Sequence, residues 1–320
     1  MKRFLLKIFV WFFGILLIGL FLMNCKKYQF YGNGEARLQI EYYTKNATKY
    51  NTLIFGSSRM YRHINPTLLD SATSHKIKAY NLASGGTFFS ESLYQFHQTP
   101  IDKNIKFVIF EMQDILPFES NAFSEKILYY HDIPTTNFEL KYHLENNDWN
   151  SMYLSANHYI ANIFYYKKLG QQSNNNKEFL SFSNGYNPLE KEYNRYNSVK
   201  TQRDAYLQDT IKVHNKVNQM LPQKKMNVAW ENEIQLLKKE CKKRGIKLIL
   251  VTSLFTEPMD LSFINEDENT EILDFTSTQK FKEFYNFKHV YDNGHLNKVG
   301  SKLFTQKFAD SLNNVLESEK

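Results

Sequence analysis

The segment NTLIFGSSRMYRHINP, residues 51–66, is the most informative about the fold, because it predicts a buried strand, a tight turn and the start of a helix. Its apolar run ends at Gly56, and Asn65 followed by Pro66 supplies a helix cap and a first-turn proline. Two similar runs follow, KAYNLAS at residues 78–84 and IKFVIFEM at residues 105–112, with a helix start between them. This part of the chain therefore predicts three strands that alternate with two helices.

The same alternation returns near the carboxyl terminus. Apolar residues recur at helical spacing over residues 230–241, Gly245 stands where a helix cap belongs, and IKLILVT at residues 246–252 predicts a fourth strand. Residues 289–292 predict a short final strand end, and an apolar stripe over residues 299–315 predicts a terminal helix. Apolar strands separated by helices indicate an α/β fold with a mostly parallel sheet covered on both faces. Functional residues of such sheets lie at the carboxyl ends of the strands.

A candidate membrane segment opens the chain. Residues 4–23 are apolar apart from Lys7, and roughly 20 apolar residues let a helix cross about 30 Å of hydrocarbon. The basic residues at its amino-terminal end outnumber Lys26 and Lys27 beyond it. This charge bias predicts a cytoplasmic amino terminus and places everything after residue 27 outside the cytoplasm.

Two alternatives to an uncleaved anchor stay open. One is a cleaved signal peptide, although residues 22–25, LMNC, offer no cleavage site with small residues. The other is a lipoprotein modified at Cys25, although Asn24 is a poor residue before a lipid-modified cysteine. We predict the anchor.

The predicted organisation has three parts. A cytoplasmic stub and membrane anchor span residues 1–27, a tyrosine-rich juxtamembrane segment spans residues 28–50, and the folded domain spans residues 51–320. An insertion at about residues 115–228 interrupts the alternation, with a partly helical pattern near residues 153–166. Its motifs rich in Asn and Tyr are NNN at residues 174–176, GYNP at residues 185–188 and YNRYN at residues 193–197. Such side chains suit a sugar-like ligand at the edge of the site, and they equally suit an insertion core with a polar loop.

Composition excludes several classes of protein. The 320 residues are 42% hydrophobic and 23% charged, so the chain can bury a core and is not disordered. The net charge of +7 comes from scattered basic residues, and the dense group at residues 238–244 fits a solvated helix face. Because no stripe of basic and aromatic residues emerges, we predict no nucleic-acid partner.

The sequence also predicts no metal and no cofactor. Cys25 and Cys241 cannot form a disulfide framework or a zinc ribbon, and Cys241 fits the apolar face of its helix. His131, His143 and His158 lack the spacing of metal ligands. A phosphate-binding glycine loop and a dinucleotide fingerprint are both absent from the sequence.

Two short motifs carry possible acyl-transfer chemistry. Gly56-Ser57-Ser58-Arg59 lies where the first strand ends, so a hydroxyl can be presented at the sheet edge beside free N–H groups. Asp292 and His295 share a turn before the last helix. Ser58 Oγ would attack an acyl carbonyl, His295 would accept its proton, and Asp292 would hold the imidazole tautomer. Each motif alone also has a purely structural interpretation. The first would be a sterically favoured turn, and the second would be a local cap.

Together these motifs resemble the SGNH/GDSL hydrolase superfamily across most of residues 51–316, apart from the insertion. In that family a serine follows the first strand in a Gly-Asp-Ser-like block, and Asp-x-x-His closes the domain. Gly56-Ser57-Ser58 matches the first block with Ser57 in the acidic position, and Asp292 and His295 match the last block. The resemblance implies a three-layer α/β/α sandwich with a flavodoxin-like five-stranded sheet, and it implies Ser58, Asp292 and His295 as the catalytic residues.

The resemblance also implies three oxyanion donors. These are the backbone N–H of Ser58, that of Gly86 in the Gly85-Gly86 pair, and the side chain of Gln113. Gln113 departs from the family's Gly-x-Asn-Asp block, because Glu111-Met112-Gln113-Asp114 places glutamine where an asparagine is expected. A displaced donor could cost on the order of 3 kcal/mol of transition-state stabilisation. Gln113 is therefore either a donor or a structural hydrogen-bonding residue.

Arg59 and Arg62 follow the predicted nucleophile and are candidates for binding an anionic group of the substrate, or for a salt bridge within the fold. The residues Leu296, Asn297 and Gly300 after the histidine are similar to membrane-anchored envelope members of the family. We therefore expect a membrane-anchored serine esterase or O-acyltransferase that acts on an acylated envelope glycan, held in the bilayer through residues 4–23. The alternative is a non-catalytic envelope protein of the same fold that binds polysaccharide or assembles a polymer-modifying complex.

Overall fold

One parallel sheet forms the centre of the molecule in a computed structural model. The residues that it describes are 1–25, 29–113, 123–165, 183–190, 226–264, 268–286, 288–292 and 294–317. Five strands pair in the order β2-β1-β3-β4-β5, and every pair is parallel. They are β1 Thr52–Phe55, β2 Ala79–Asn81, β3 Phe107–Met112, β4 Lys247–Thr252 and β5 Thr270–Asp274. This is the flavodoxin-like order, so the predicted α/β fold class is confirmed.

The strand register explains why the strands are apolar on both faces. Ile54, Ile109 and Ile249 lie side by side across β1, β3 and β4 and point to one face of the sheet. The neighbouring Leu53 and Val108 belong to the core on the opposite face. Because side chains alternate between faces along a strand, a sheet covered on both sides needs continuous apolar runs.

Helices cover both faces. The helices of the described residues are α1 Lys2–Asn24, α2 Gly34–Asn46, α3 Ser58–His63, α4 Pro66–Ala72, α5 Phe89–Gln98, α6 Glu125–Leu128, α7 Ile133–Glu145, α8 Trp149–Phe164, α9 Val228–Lys243 and α10 Lys298–Glu317. Buried residues of α5, α7 and α9 pack on one face, and those of α3, α4 and α10 pack on the other. The predicted cap at Gly245 is present, because its N–H donates to Lys242 O and the next N–H donates to Cys241 O.

The prediction of the last strand, at residues 289–292, was wrong. Residues 289–292 form only an isolated antiparallel bridge, between Val290 and Leu296, and the fifth strand is β5 instead. β5 is an edge strand whose residues 271–273 are half-buried, unlike those of the fully buried edge strand β2, so β5 does not need a continuous apolar run. Glu271 and Asp274 interrupt the run in β5, which hid it from a search for apolar segments.

The segment before the domain is more than a linker. Residues 34–46 form α2, which the sequence did not predict, and Tyr43 of α2 is fully buried in the core beneath α5 and α9. α1 is long and apolar enough to cross a membrane.

The described parts of the insertion are mainly helical. α8 confirms the helical pattern predicted near residues 153–166. The GYNP motif packs inward, since Tyr186 OH lies 3.0 Å from Ser301 Oγ and Asn187 N donates to Tyr61 O at 3.1 Å. The aromatic ring of this motif, that of Tyr186, is therefore part of the structural framework. The NNN and YNRYN motifs lie outside the described residues.

Candidate active site

The loops after β1, β2 and β3 meet at one edge of the sheet, because parallel strands end on the same side. The loop after β1 is joined to the loop after β2 by two donors to the Gly56 carbonyl. Ser84 N donates at 3.0 Å, and Thr87 Oγ1 donates at 2.9 Å. These bonds fix the predicted nucleophile turn against the Gly85-Gly86 segment.

Close packing shapes the nucleophile turn. Gly56 has φ +150°, and a Cβ added there would lie 2.6 Å from Glu111 Cβ, so a side chain at this position is excluded. Ser57 caps α3, with its Oγ accepting from Arg59 N at 3.2 Å. Ser58 is thus the first residue of α3, held by the preceding glycine and serine. Ser57 therefore has a clear local role as a helix cap.

Ser58, His295 and Asp292 lie together. Ser58 Oγ is 2.8 Å from His295 Nε2, although the two residues are 237 positions apart in sequence. His295 Nδ1 is 2.9 Å from Asp292 Oδ1 and 3.1 Å from Oδ2. The predicted proximity of these three side chains is confirmed. All three residues are partly exposed.

The surroundings of Asp292 keep it ionised. Burial alone would raise the pKa of Asp292, but hydrogen bonding to His295, the charge of His295 and the N–H groups of Gly294 and His295 together hold that pKa below its ordinary value. A carboxylate facing Nδ1 favours the tautomer with a proton on Nδ1. Nε2 is then free to accept the Ser58 proton, which is the arrangement that activates a serine hydroxyl.

Glu111 holds the nucleophile turn by hydrogen bonds, a role that the sequence did not predict. This carboxylate is fully buried at the end of β3, where Oε2 accepts from Ser57 N at 2.6 Å and Oε1 accepts from Ser253 Oγ. Charge-assisted hydrogen bonds of this kind are about twice as strong as neutral ones. The available signal was a carboxylate inside the apolar run FVIFEM. Buried acids in such runs need a dedicated partner.

His63 supports the histidine turn in a similar way. Its Nε2 accepts from Leu296 N at 3.0 Å, so α3 carries Ser58 at one end and holds the residue after His295 at the other. Burial lowers the pKa of His63 well below its ordinary value, and the charges of His295, Arg59 and Arg62 act in the same direction. His63 is therefore neutral and keeps the lone pair that Leu296 requires.

The predicted oxyanion donors differ from one another. Gly86 is exposed with φ +63°, and its N–H has no acceptor among the residues that the structure describes. Gln113 is buried, and its Nε2 donates to Ser92 Oγ at 2.8 Å. The structure thus gives Gln113 a structural partner, as one of the two sequence interpretations expected.

The two arginines also differ. Arg59 is partly exposed beside Ser58 in sequence, and its Nη1 lies 3.5 Å from Thr256 Oγ1. Arg62 is buried, with its guanidinium carbon 4.7 Å from the centroid of the Tyr61 ring. Of the two candidates for an anionic substrate group, Arg59 is the one with exposed surface.

The three histidines weighed as metal ligands, His131, His143 and His158, are buried in the framework. His131 Nε2 lies 3.0 Å from the Glu139 carboxylate, and both side chains are fully buried. The described residues contain no group of three or more His, Cys, Asp or Glu side chains suited to a metal. Burial raises the pKa of Cys241 to about 12, which suits an unreactive core thiol.

Comparison of the chain with known proteins identified no relative. No family model matches the chain, and it matches neither a curated protein nor a solved structure.

Proposed function

We propose that the chain is a membrane-anchored SGNH-type serine esterase or O-acyltransferase that acts on an acylated cell-envelope glycan outside the cytoplasm. One observation carries the enzymatic part of this proposal, the 2.8 Å approach of Ser58 Oγ to His295 Nε2. The resemblance of the motifs to SGNH/GDSL hydrolases supports the same reaction class.

The reaction proceeds in two acyl-transfer steps. Ser58 Oγ bonds to the acyl carbon as its proton moves to His295 Nε2, and His295 returns that proton to the departing alkoxide. The ionised Asp292 stabilises the imidazolium that forms between these events. Water or a sugar hydroxyl then attacks the acyl carbon of the acyl-enzyme as its proton moves to His295, and the bond to Ser58 Oγ breaks as His295 passes that proton to Ser58. The acceptor therefore decides between hydrolysis and transfer. The Gly86 N–H is available to the developing oxyanion.

The proposed glycan substrate and the proposed location outside the cytoplasm are supported by different observations. The charge bias around α1 favours a cytoplasmic amino terminus, which places the site on the envelope side. An acylated glycan is the substrate class suggested by similarity to membrane-anchored envelope members. If α1 is the anchor, Cys25→Ser remains in the membrane fraction after carbonate extraction. Release of that variant would support the lipoprotein alternative.

The second candidate is a non-catalytic envelope protein of the same fold. The Gln113–Ser92 hydrogen bond favours it, because Ser92 Oγ already takes one of the two N–H donors of the Gln113 amide.

Labelling with a fluorophosphonate separates the two. We expect the full-length protein in detergent to be modified at Ser58, with Ser58 Oγ replacing fluoride on phosphorus. Ser58→Ala should remain unlabelled, and Ser71→Ala, which changes an exposed serine of α4, should label like the wild type. An unlabelled wild-type protein that is folded would remove the enzymatic proposal.

A further inference from the structure

The outer face of α8 is apolar and uncharged. This helix spans Trp149–Phe164 and contains no Asp, Glu, Lys or Arg. Its inner face buries Ser155, His158, Asn162 and Ile163. On the outer face, Trp149, Tyr153, Ile160 and Phe164 are 60%, 65%, 51% and 39% exposed. We refer to these four residues as the α8 stripe.

The spacing places the α8 stripe along one line of the helix. At 3.6 residues per turn, positions separated by four, seven and four residues fall within about 60° of arc. Large exposed apolar side chains aligned in this way differ from the scattered exposed residues of an ordinary surface. The stripe therefore needs a covering partner.

The α8 stripe is continuous with the candidate membrane helix. Phe164 at its end lies against Phe12 of α1, with 6.2 Å between ring centroids. Beside it, Ile163 approaches α1 so closely that a Cβ on Gly19 would lie 2.6 Å from its side chain. Gly19 is the buried residue of α1, so the two helices pack tightly where the stripe ends.

The contact with α1 begins near the bilayer surface and continues toward the bilayer interior. Gly19 and Phe12 precede the end of α1 at Asn24 by five and twelve residues, about 7 Å and about 18 Å at 1.5 Å per residue. The Gly19 end lies at the depth of about 5–10 Å to which interfacial helices bury their apolar face, and Phe164, against Phe12, lies deeper. Trp149 and Tyr153, whose rings suit the headgroup region, lie at the far end of the stripe, and the purely apolar Ile160 and Phe164 lie near α1.

We infer that the α8 stripe is a second membrane contact, which lies in the lipid surface beside α1. Lipid is the occupant favoured over protein, because the stripe is uncharged and continues the surface of α1, which is long and apolar enough to cross a membrane. This inference rests on the proposed anchoring through α1 and not on the proposed reaction.

The contact also orients the candidate site. Tyr165, directly after α8, donates its hydroxyl to Glu125 of α6. The next residue, Lys126, lies 3.4 Å from the Gly85 carbonyl. A single short helix therefore separates the membrane contact from the Gly85-Gly86 loop, so the bilayer holds this edge of the site near its surface.

Tryptophan fluorescence tests the inference, because the chain has three tryptophans. Trp230 is fully buried in the core, and Trp11 lies in α1. In full-length Trp11→Phe, the lipid-accessible emission comes from Trp149 alone. After reconstitution into phosphatidylcholine vesicles, we expect brominated phosphatidylcholine to quench most of the Trp149 emission. The same quenching should disappear in Trp11→Phe/Trp149→Phe.

A second pair of variants measures depth and specificity. Placing a tryptophan at the other end of the stripe, Phe164→Trp in the double-phenylalanine background, should give stronger quenching by bromines deep in the acyl chain. Leu303→Trp in the same background is the matched control, because Leu303 is 41% exposed on α10, on the opposite face of the sheet. It should be quenched by aqueous acrylamide and unaffected by brominated lipid.

Two outcomes would overturn the inference. Trp149 quenched by acrylamide but unaffected by brominated lipid would place the stripe in water. Trp149 protected from both quenchers would place it against protein, either a partner or a second copy of the chain. An unchanged melting temperature for each variant establishes that the fold is retained.

Discussion

The two halves of the candidate site are built differently. In the nucleophile half, Ser58, His295 and Asp292 hydrogen-bond to one another, and Glu111 and His63 hold the turns that carry them. In the oxyanion half, Gly86 presents an exposed backbone donor, whereas the buried Gln113 amide donates to Ser92.

This difference indicates that activating a hydroxyl and stabilising the negative charge of a transition state have separate structural requirements. The first requires a chain of side chains with matched donors and acceptors, and that chain is complete. The second requires donors aimed at a point in space that the ground state leaves empty. A residue can stand at the right place in a motif and still be engaged elsewhere, as Gln113 is.

The largest expected effect comes from removing the nucleophile. Ser58→Ala should lower the turnover of a small activated acetyl ester by on the order of 10³-fold or more, because it removes the hydroxyl that is hydrogen-bonded to His295. The melting temperature should stay that of the wild type. Equal rates for the two proteins would show that the nucleophile half is not catalytic.

Glu111→Gln tests the support beneath the nucleophile. The substitution keeps the side-chain size but removes the charge that accepts from Ser57 N and Ser253 Oγ. We expect the free energy of unfolding to fall by about 2 kcal/mol. Displacement of Ser58 should lower kcat/KM by about 10²-fold. Glu271→Gln, which weakens a partly exposed ion pair with Lys247 on the edge strand, is the control. Equal effects of the two changes on kcat/KM would contradict the positioning role of Glu111.

Gln113→Ala sharpens the contrast with the oxyanion half. Because the amide is bonded to Ser92, we expect kcat to fall by less than the 10²- to 10³-fold loss typical of an oxyanion donor. Ser92→Ala breaks the same hydrogen bond from its other side and serves as the matched variant. A loss of about 10²-fold in Gln113→Ala alone would make Gln113 a donor and remove the difference between the halves.

The smallest expected effect is a pH dependence of stability from His63. Its pKa in the folded protein lies well below 6.5, so as pH falls below 6.5 the unfolded chain takes up a proton that the folded protein does not. The neutral side chain therefore contributes its full share to the free energy of unfolding above pH 6.5. Below pH 6.5 this contribution is lost, by up to about 1.4 kcal/mol per pH unit.

His63→Gln keeps a hydrogen-bond acceptor for Leu296 N and removes the titrating group. Thermal unfolding at about pH 7 and about pH 5.5 should give a smaller loss of stability for the variant. Other titrating groups, such as His143, contribute equally to both proteins and cancel in the comparison. Identical pH dependence would mean that His63 is not held neutral.

Elements with a local signal were predictable, and elements that depend on a neighbour were not. Strands β1 to β4 follow from apolar runs because all of their residues are buried, those of the edge strand β2 included. β5 was missed because an edge strand tolerates Glu271 and Asp274, and α2 was missed because only packing against the core gives Tyr43 its place.

Patterns in the amino-acid sequence were sufficient to predict the apolar length of α1, the alternation of strands and helices, and the turn that joins Asp292 to His295. These are short-range properties, set by neighbouring residues. Only the tertiary structure decided that Ser58 meets His295, that Glu111 and His63 hold the two turns, and that Gln113 turns to Ser92. Such contacts depend on strand order and register, which bring distant segments together and which no local pattern specifies.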